Sequence, residues 1–196
     1  YVEQIFVFEN RGEEVGVTLN HPHGQIYSYP FITPRTSTML QVAQEHFNKT
    51  GTPLITSIIE REVQDQIRII AQNEHWIAYI PYAARYPFEI HVAPKHFLPD
   101  LAELSDAVAD AFPEIAKEVL LRLDGVFGIP MAYIAAWHQA PVRTGRDVLG
   151  LHWQITSIRR APGKLKYLAG SESAMGAFIM DFKPEQSAEQ LRNVQL

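Results

Sequence analysis

The 196-residue chain contains no cysteine. That excludes a disulfide framework and leaves only His and carboxylates from this chain as ligands for any zinc ion. It also allows a reducing compartment, and a cytoplasmic location is the expectation. No apolar run approaches the ~20 residues needed to span a bilayer, so no membrane partner is expected. Positive charge is scarce: 17 Lys and Arg stand against 22 Asp and Glu, a formal net charge of −5. Phosphate backbones are bound through clustered Lys and Arg, so a generic nucleic-acid surface is excluded, whereas a local basic pocket for a small phosphate ligand is not. The opening YVEQIFVFENRG lacks an initiator Met and the basic-then-apolar layout of a signal peptide. It reads as the inside of a strand, and the expectation is a sequence that starts partway through a larger architecture.

What is present reads as a soluble globular chain long enough to bury a sizeable core. Residues 4–9 and 15–19 flank the turn signal NRGE and predict a hairpin. HGQIYSY continues as extended structure after Pro22. Apolar residues at helical spacing, Leu40, Ala43 and Phe47 and then Leu54, Ile55, Ile58, Ile59 and Val63, predict two helices, the first stopped by Gly51. IRIIAQ, HWIAYIPY and FEIHVAP predict a three-strand meander. Val108, Phe112, Ile115, Val119 and Leu123 predict a helix that Pro113 kinks or divides. MAYIAAWH and LHWQITSIRR read as two further strands, AGSE as a loop, and KPEQSAEQLRNVQL as a helix with Pro184 in its first turn.

The fold class that follows is α+β, mainly an antiparallel sheet with helices on one side. HGQI at residues 23–26 echoes HWQI at residues 152–155. The expectation is two units of one type: residues 1–50 close a first unit and residues 51–196 form a second.

The segment LNHPHGQIYSYP concentrates the chemistry. If it is extended, His21, His23 and Gln25 share one face, and two imidazoles with an amide are costly to bury without polar partners. A metal accounts for the histidines but not for Gln25, a poor zinc ligand. Nucleophilic catalysis accounts for all three: an imidazole attacks phosphorus at neutral pH, and a neutral amide holds the phosphoryl oxygens without exchanging a proton.

FENRGEEVGVTLNHPHGQIY resembles the active-site segment of galactose-1-phosphate uridylyltransferases, a branch of the histidine-triad superfamily. EHWIAYIPYAARYPFEIHVAPKHF, AWHQAP and LHWQITSIRRAPGKLKYLAGSE resemble later parts of the same family in the same order. The resemblance implies a histidine-triad-like fold in which this chain matches the C-terminal part. It implies His23 as the uridylylated nucleophile and Gln25 as the amide that holds the phosphoryl group. Asn10 and Thr18 match polar positions around the nucleotide phosphates, Lys166 a basic residue near the sugar phosphate, and Glu172 a carboxylate that contacts sugar hydroxyls. His21 matches a zinc ligand whose partners lie upstream. A second iron or zinc site of some members needs a glutamate and three histidines. Here only His138 matches, with Thr156, Ile158 and Met39 elsewhere, so that site is expected to be absent.

The implied reaction is ping-pong exchange of UMP between UDP-glucose and galactose 1-phosphate, within a homodimer or a pairing with an upstream half. Gln25 stands where hydrolytic relatives carry a further histidine. A sugar phosphate leaves and attacks as an anion, so this difference favours transfer over hydrolysis. Two alternatives fit the same residues: a transferase for another sugar nucleotide, such as an ADP-glucose phosphorylase, and a non-catalytic half that needs a partner polypeptide. For the remaining residues the simple readings are an exposed His46, loop-orienting His75 and His96, and core roles for Trp76, Trp137 and Trp153. His91 is expected on the face opposite Ile90 and Val92, and Arg159 and Arg160 at a strand end, solvated or on phosphate.

Overall fold

The computed structural model describes residues 1–18 and 23–196. Its centre is the expected meander. β3 (Ile69–Gln72), β4 (Trp76–Tyr79) and β5 (Ile90–Pro94) pair antiparallel in sequence. β5 pairs with β7 (His152–Thr156), β7 with β6 (Tyr133–His138), and β6 with β1 (Gln4–Arg11). β2 (Gly24–Tyr29) completes a seven-stranded antiparallel sheet in the order β2-β1-β6-β7-β5-β4-β3. The sheet therefore runs without a break through both expected units.

Strand alternation sorts the side chains between two faces. On one face Trp76, Ala78, Ile90, Val92, Trp153 and Ile155 meet Ile115, Val119 and Leu123 of α3 (Asp106–Gly125) and Leu191 of α5 (Pro184–Arg192) in the main core. All three tryptophans lie in or against this core, as the simple reading expects. On the other face Ile77, Tyr79 and Ala93 pack with Ile59 of α2 (Leu54–Asp65). Beside them Ala43 of α1 (Pro34–Thr50) packs on Ala140, Val148 and Leu149. Helices thus cover both faces, which corrects the one-sided expectation: the meander buries residues of both parities, so each face needs a cover.

Three local expectations differ. β1 pairs with β2, with Phe8 opposite Gln25, and with β6, and not with residues 15–18; Leu19 of the expected strand lies outside the described residues. Gly12 (φ 102°) and Gly16 (φ 86°) fold residues between them into a 3₁₀ turn instead of a strand. Pro113 does not divide α3, which runs on to Gly125; the single bond lost from the ladder is outweighed by the apolar stripe that flanking turns bury. The second predicted strand of the pair after α3 stops at Thr156, and residues 159–165 form a separate ribbon of β8 (Arg159–Ala161) and β9 (Lys164–Leu165). Among the described residues no helix is long and apolar enough to cross a membrane.

Candidate active site

β1 and β2 position the first group of residues. Gln25 sits opposite Phe8, and the last pair of the ladder joins Glu9 to Gly24. Asn10 lies one residue beyond that pair on β1, and His23 one residue before it. Asn10 Oδ1 is buried without a hydrogen-bond partner among the described residues, a cost that is removed when a donor arrives. His23 and Gln25 are half-buried, and Thr18 is exposed outside regular structure. His21 lies outside the described residues.

Lys166 and Glu172 are brought together, but with each other. Lys166 Nζ donates to Glu172 Oε1 at 2.5 Å and to the Ile179 carbonyl at 2.7 Å. Glu172 lies on a short helix, α4 (Gly170–Met175), and not in a loop. From the third helical position its Oε2 reaches back to accept the Ala169 N–H at 2.9 Å, satisfying a donor that the helix start would otherwise leave open. The Lys166 ammonium and the backbone donors hold the Glu172 carboxyl down to about 2. Its partners all lie within residues 166–179, so the carboxylate is covered by its own loop. No hydrogen bond or ion pair joins this loop to Asn10 or Gln25 among the described residues.

A second polar cluster occupies the same face of the sheet. His91 lies opposite Gln154, Gln154 opposite Ala136, and His138 opposite His152. The hydrogen bonds fix the orientation of the Gln154 amide. Its oxygen accepts from Arg35 Nη2 at 2.6 Å and from His138 Nε2 at 2.9 Å, and its nitrogen donates to Glu89. Since an amide oxygen only accepts, His138 carries its proton on Nε2. Burial, and then the nearby His152, drive the His138 pKa well below its ordinary value, and burial takes His152 to about 3. Both rings are neutral at physiological pH and stack with centroids 5.1 Å apart. Glu89 is the charged member. His91 Nε2 at 3.2 Å, the charge of Arg85 and the Arg85 N–H at 2.6 Å hold its carboxyl at about 2 against the opposing effect of burial.

Sequence reasoning missed Arg35, Arg85, Glu89 and Gln154 as members of one cluster. The available signals were the alternation of Glu89 and His91 and the HGQI/HWQI echo, which the structure places on one face. Other simple readings change as well. His46 is half-buried, 3.0 Å from Ser57 Oγ, and links α1 to α2. Arg159 is buried on Glu14 and the Pro130 carbonyl, and Arg160 pairs with Asp181. Among the described residues no group of three or more His, Asp or Glu is arranged to hold a metal.

The family described as galactose-1-phosphate uridyl transferase matches this chain twice, its C-terminal domain at residues 39–196 and its N-terminal domain at residues 1–33. The galactose-1-phosphate uridylyltransferase of Streptomyces lividans is 42% identical over 98% of this chain and 57% of its own length. A solved structure of uridylyltransferase superposes with a TM-score of 0.93 at 37% identity, covering 98% of this chain and 60% of that one. The ADP-glucose phosphorylase of Arabidopsis thaliana with bound ADP-glucose superposes with a TM-score of 0.86 at 25% identity, covering 100% of this chain and 60% of that one. The chain thus spans little more than half the length of such relatives. With matches along both segments and a shared fold, the chain belongs to the galactose-1-phosphate uridyl transferase family.

Proposed function

We propose that this chain carries the nucleophile of a cytoplasmic nucleotidyltransferase that exchanges UMP between UDP-glucose and galactose 1-phosphate. The observation that carries this reading is the juxtaposition at the start of β2. His23 and Gln25 lead into the strand, while the unsatisfied Asn10 Oδ1 waits on the neighbouring strand. In the first step an imidazole nitrogen of His23 attacks the phosphorus bearing uridine. A P–N bond forms, the P–O bond to glucose 1-phosphate breaks, and the departing phosphate carries the electron pair away. In the second step a phosphate oxygen of galactose 1-phosphate attacks, the P–N bond breaks, and UDP-galactose leaves. Neither leaving group needs a proton at neutral pH, so an amide at Gln25 suffices to hold the phosphoryl oxygens.

In this reading the Asn10 Nδ2 amide and the Thr18 hydroxyl donate to the nucleotide phosphates, while Asn10 Oδ1 accepts from an N–H or O–H donor. The buried Lys166–Glu172 pair opens when substrate binds, so that in the same reading Lys166 reaches the sugar phosphate and Glu172 the sugar hydroxyls. Homodimerisation, or pairing with an upstream half, completes the site. Zinc on His21, with its other ligands upstream, supports the fold and takes part in no step. At the four positions of the second metal centre only His138 is one of the glutamate and histidine ligands that the centre needs, and its Nε2 is already bonded to Gln154. The donor set does not fit that centre.

The likeness to the Arabidopsis phosphorylase favours one second reading, adenylyl instead of uridylyl transfer. Isotope exchange separates the two. With the upstream polypeptide supplied, labelled glucose 1-phosphate should enter UDP-glucose in the absence of galactose 1-phosphate. Exchange into ADP-glucose alone moves the assignment to the second reading, and exchange into neither contradicts both.

A further inference from the structure

A cleft between α1, α2 and the meander side of the sheet plays no part in the reaction above. It holds about 750 Å³, within the size range of small-molecule sites. Met39, Val42, Ile55 and Ile58 form an apolar wall, and Arg35, Arg85, Glu89, His91, His152 and Gln154 line the polar side. A second cleft on the same face meets it at Arg35, Arg85 and Gln154.

Three observations point to an anionic occupant. The first is charge. Among the described residues Arg35 has no carboxylate at ion-pair distance; its hydrogen bond goes to the neutral Gln154 amide. Arg85 shares Glu89 with His91. Two guanidiniums face one carboxylate, His138 and His152 are neutral, and the Lys166–Glu172 pair cancels itself. Burial, and then the charge of Arg85, lower the Arg35 pKa to about 10, so the guanidinium stays charged at a cost that an anion removes. The second is Tyr79, which lines the cleft and whose buried Oη has no hydrogen-bond partner. The third is the repeated His-x-Gln. His152 and Gln154 stand on β7 as His23 and Gln25 stand at β2, and one lateral row of the sheet contains both glutamines. His152 Nδ1 faces the Gly150 carbonyl at 3.3 Å, which leaves Nε2 as an acceptor for a hydroxyl.

We propose that this cleft is a second ligand site, separate from His23, which binds a nucleoside monophosphate with its phosphate between Arg35 and Arg85 and its base and sugar against the apolar wall and Tyr79. A phosphomonoester supplies the missing negative charge, and a guanidinium matches its oxygens bidentately. The organic body accounts for the length of the apolar wall, which inorganic phosphate would leave empty. The site stands whether or not His23 transfers UMP.

The test is equilibrium dialysis of the full chain with UMP, AMP and inorganic phosphate, repeated for His23→Ala, Arg35→Gln and Tyr79→Phe. Tyr79→Phe removes only an unsatisfied hydroxyl, so it leaves the packing intact. Nucleotide binding should persist in His23→Ala, exceed that of inorganic phosphate, weaken about tenfold or more in Arg35→Gln, and weaken measurably in Tyr79→Phe. Absence of binding in His23→Ala, or nucleotide binding unchanged in both Arg35→Gln and Tyr79→Phe, overturns the proposal. Inorganic phosphate binding as tightly as the nucleotides overturns it as well.

Discussion

Gln25 and Gln154 occupy one lateral row of the same sheet, with Phe8 and Ala136 on the two strands between them. At the usual spacing of strands their backbones are about 14 Å apart. Their amides are in opposite states. Gln154 is buried and bonded to Arg35, His138 and Glu89, whereas the half-buried Gln25 makes no side-chain hydrogen bond to another described residue. An amide left open beside His23 is what holding a phosphoryl group requires.

Replacing that amide tests its role. Gln25→His supplies a group that exchanges protons near neutral pH and can activate water. Hydrolysis of the uridylylated intermediate should rise relative to transfer, by about tenfold or more. Partition of UDP-glucose between UMP and UDP-galactose measures this, and an unchanged ratio contradicts the leaving-group argument.

The buried histidines predict acid sensitivity above the range where carboxylates titrate. His152, at about 3, and His138, well below its ordinary value, stay neutral in the folded chain while the unfolded chain binds protons below about 6.5. Their destabilisation begins as pH falls through 6.5 and approaches about 1.4 kcal/mol per pH unit for each ring. Glu89, at about 2, adds a further loss below about 4.5. Thermal unfolding should show Tm falling between pH 7 and pH 5, with a smaller fall in His152→Gln. A flat Tm across that interval contradicts the neutral assignment.

Gly150 separates α2 from the start of β7. A Cβ there would meet Ile55 Cγ2 at 2.3 Å and Phe97 at 3.3 Å. The first neighbour is a methyl on a β-branched carbon with little freedom to move. Gly150→Ala should cost about 1–3 kcal/mol in urea unfolding. A neutral effect means that α2 does not pack as described.

Arg68 anchors α2 to α5 through Glu62 at 2.9 Å and Glu185 at 3.2 Å, with the first pair buried. Arg68→Ala leaves the Glu62 carboxylate buried and unpaired and should cost about 3–5 kcal/mol. Arg68→Met with Glu62→Leu removes both charges and should recover most of that loss. If the double variant is no more stable than Arg68→Ala, the cost comes from packing and not from the stranded charge.

The fold was legible where local signals were strong: α1 and α2 stand close to where apolar spacing puts them, the meander close to its β-branched and aromatic runs, and α5 begins at Pro184. It was less legible where one residue outweighs a pattern. Gly12 and Gly16 replace a predicted strand with a turn, and Pro113 is absorbed by a helix whose stripe continues past it. Of the candidate site, the HPHGQ segment stands out in the sequence because three chemically unusual residues alternate within five positions. The Arg35–Gln154–Glu89–His91 cluster could not, because strands β5 and β7 and the start of α1 bring together residues more than a hundred positions apart. Short windows show only the Glu89/His91 alternation and the HGQI/HWQI echo, and neither points to Arg35 or Arg85. The pairing of Lys166 with Glu172 depends on the short helix α4, whose six residues are too few for a periodic signal.

The central claim is that His23 is the nucleophile, and one measurement addresses it directly. The chain, with its upstream polypeptide supplied, is incubated with UDP-glucose, quenched and mapped by peptide mass spectrometry. The account predicts a UMP adduct on His23, lost in His23→Ala and discharged by galactose 1-phosphate. Absence of any adduct, or an adduct on a different residue, contradicts it.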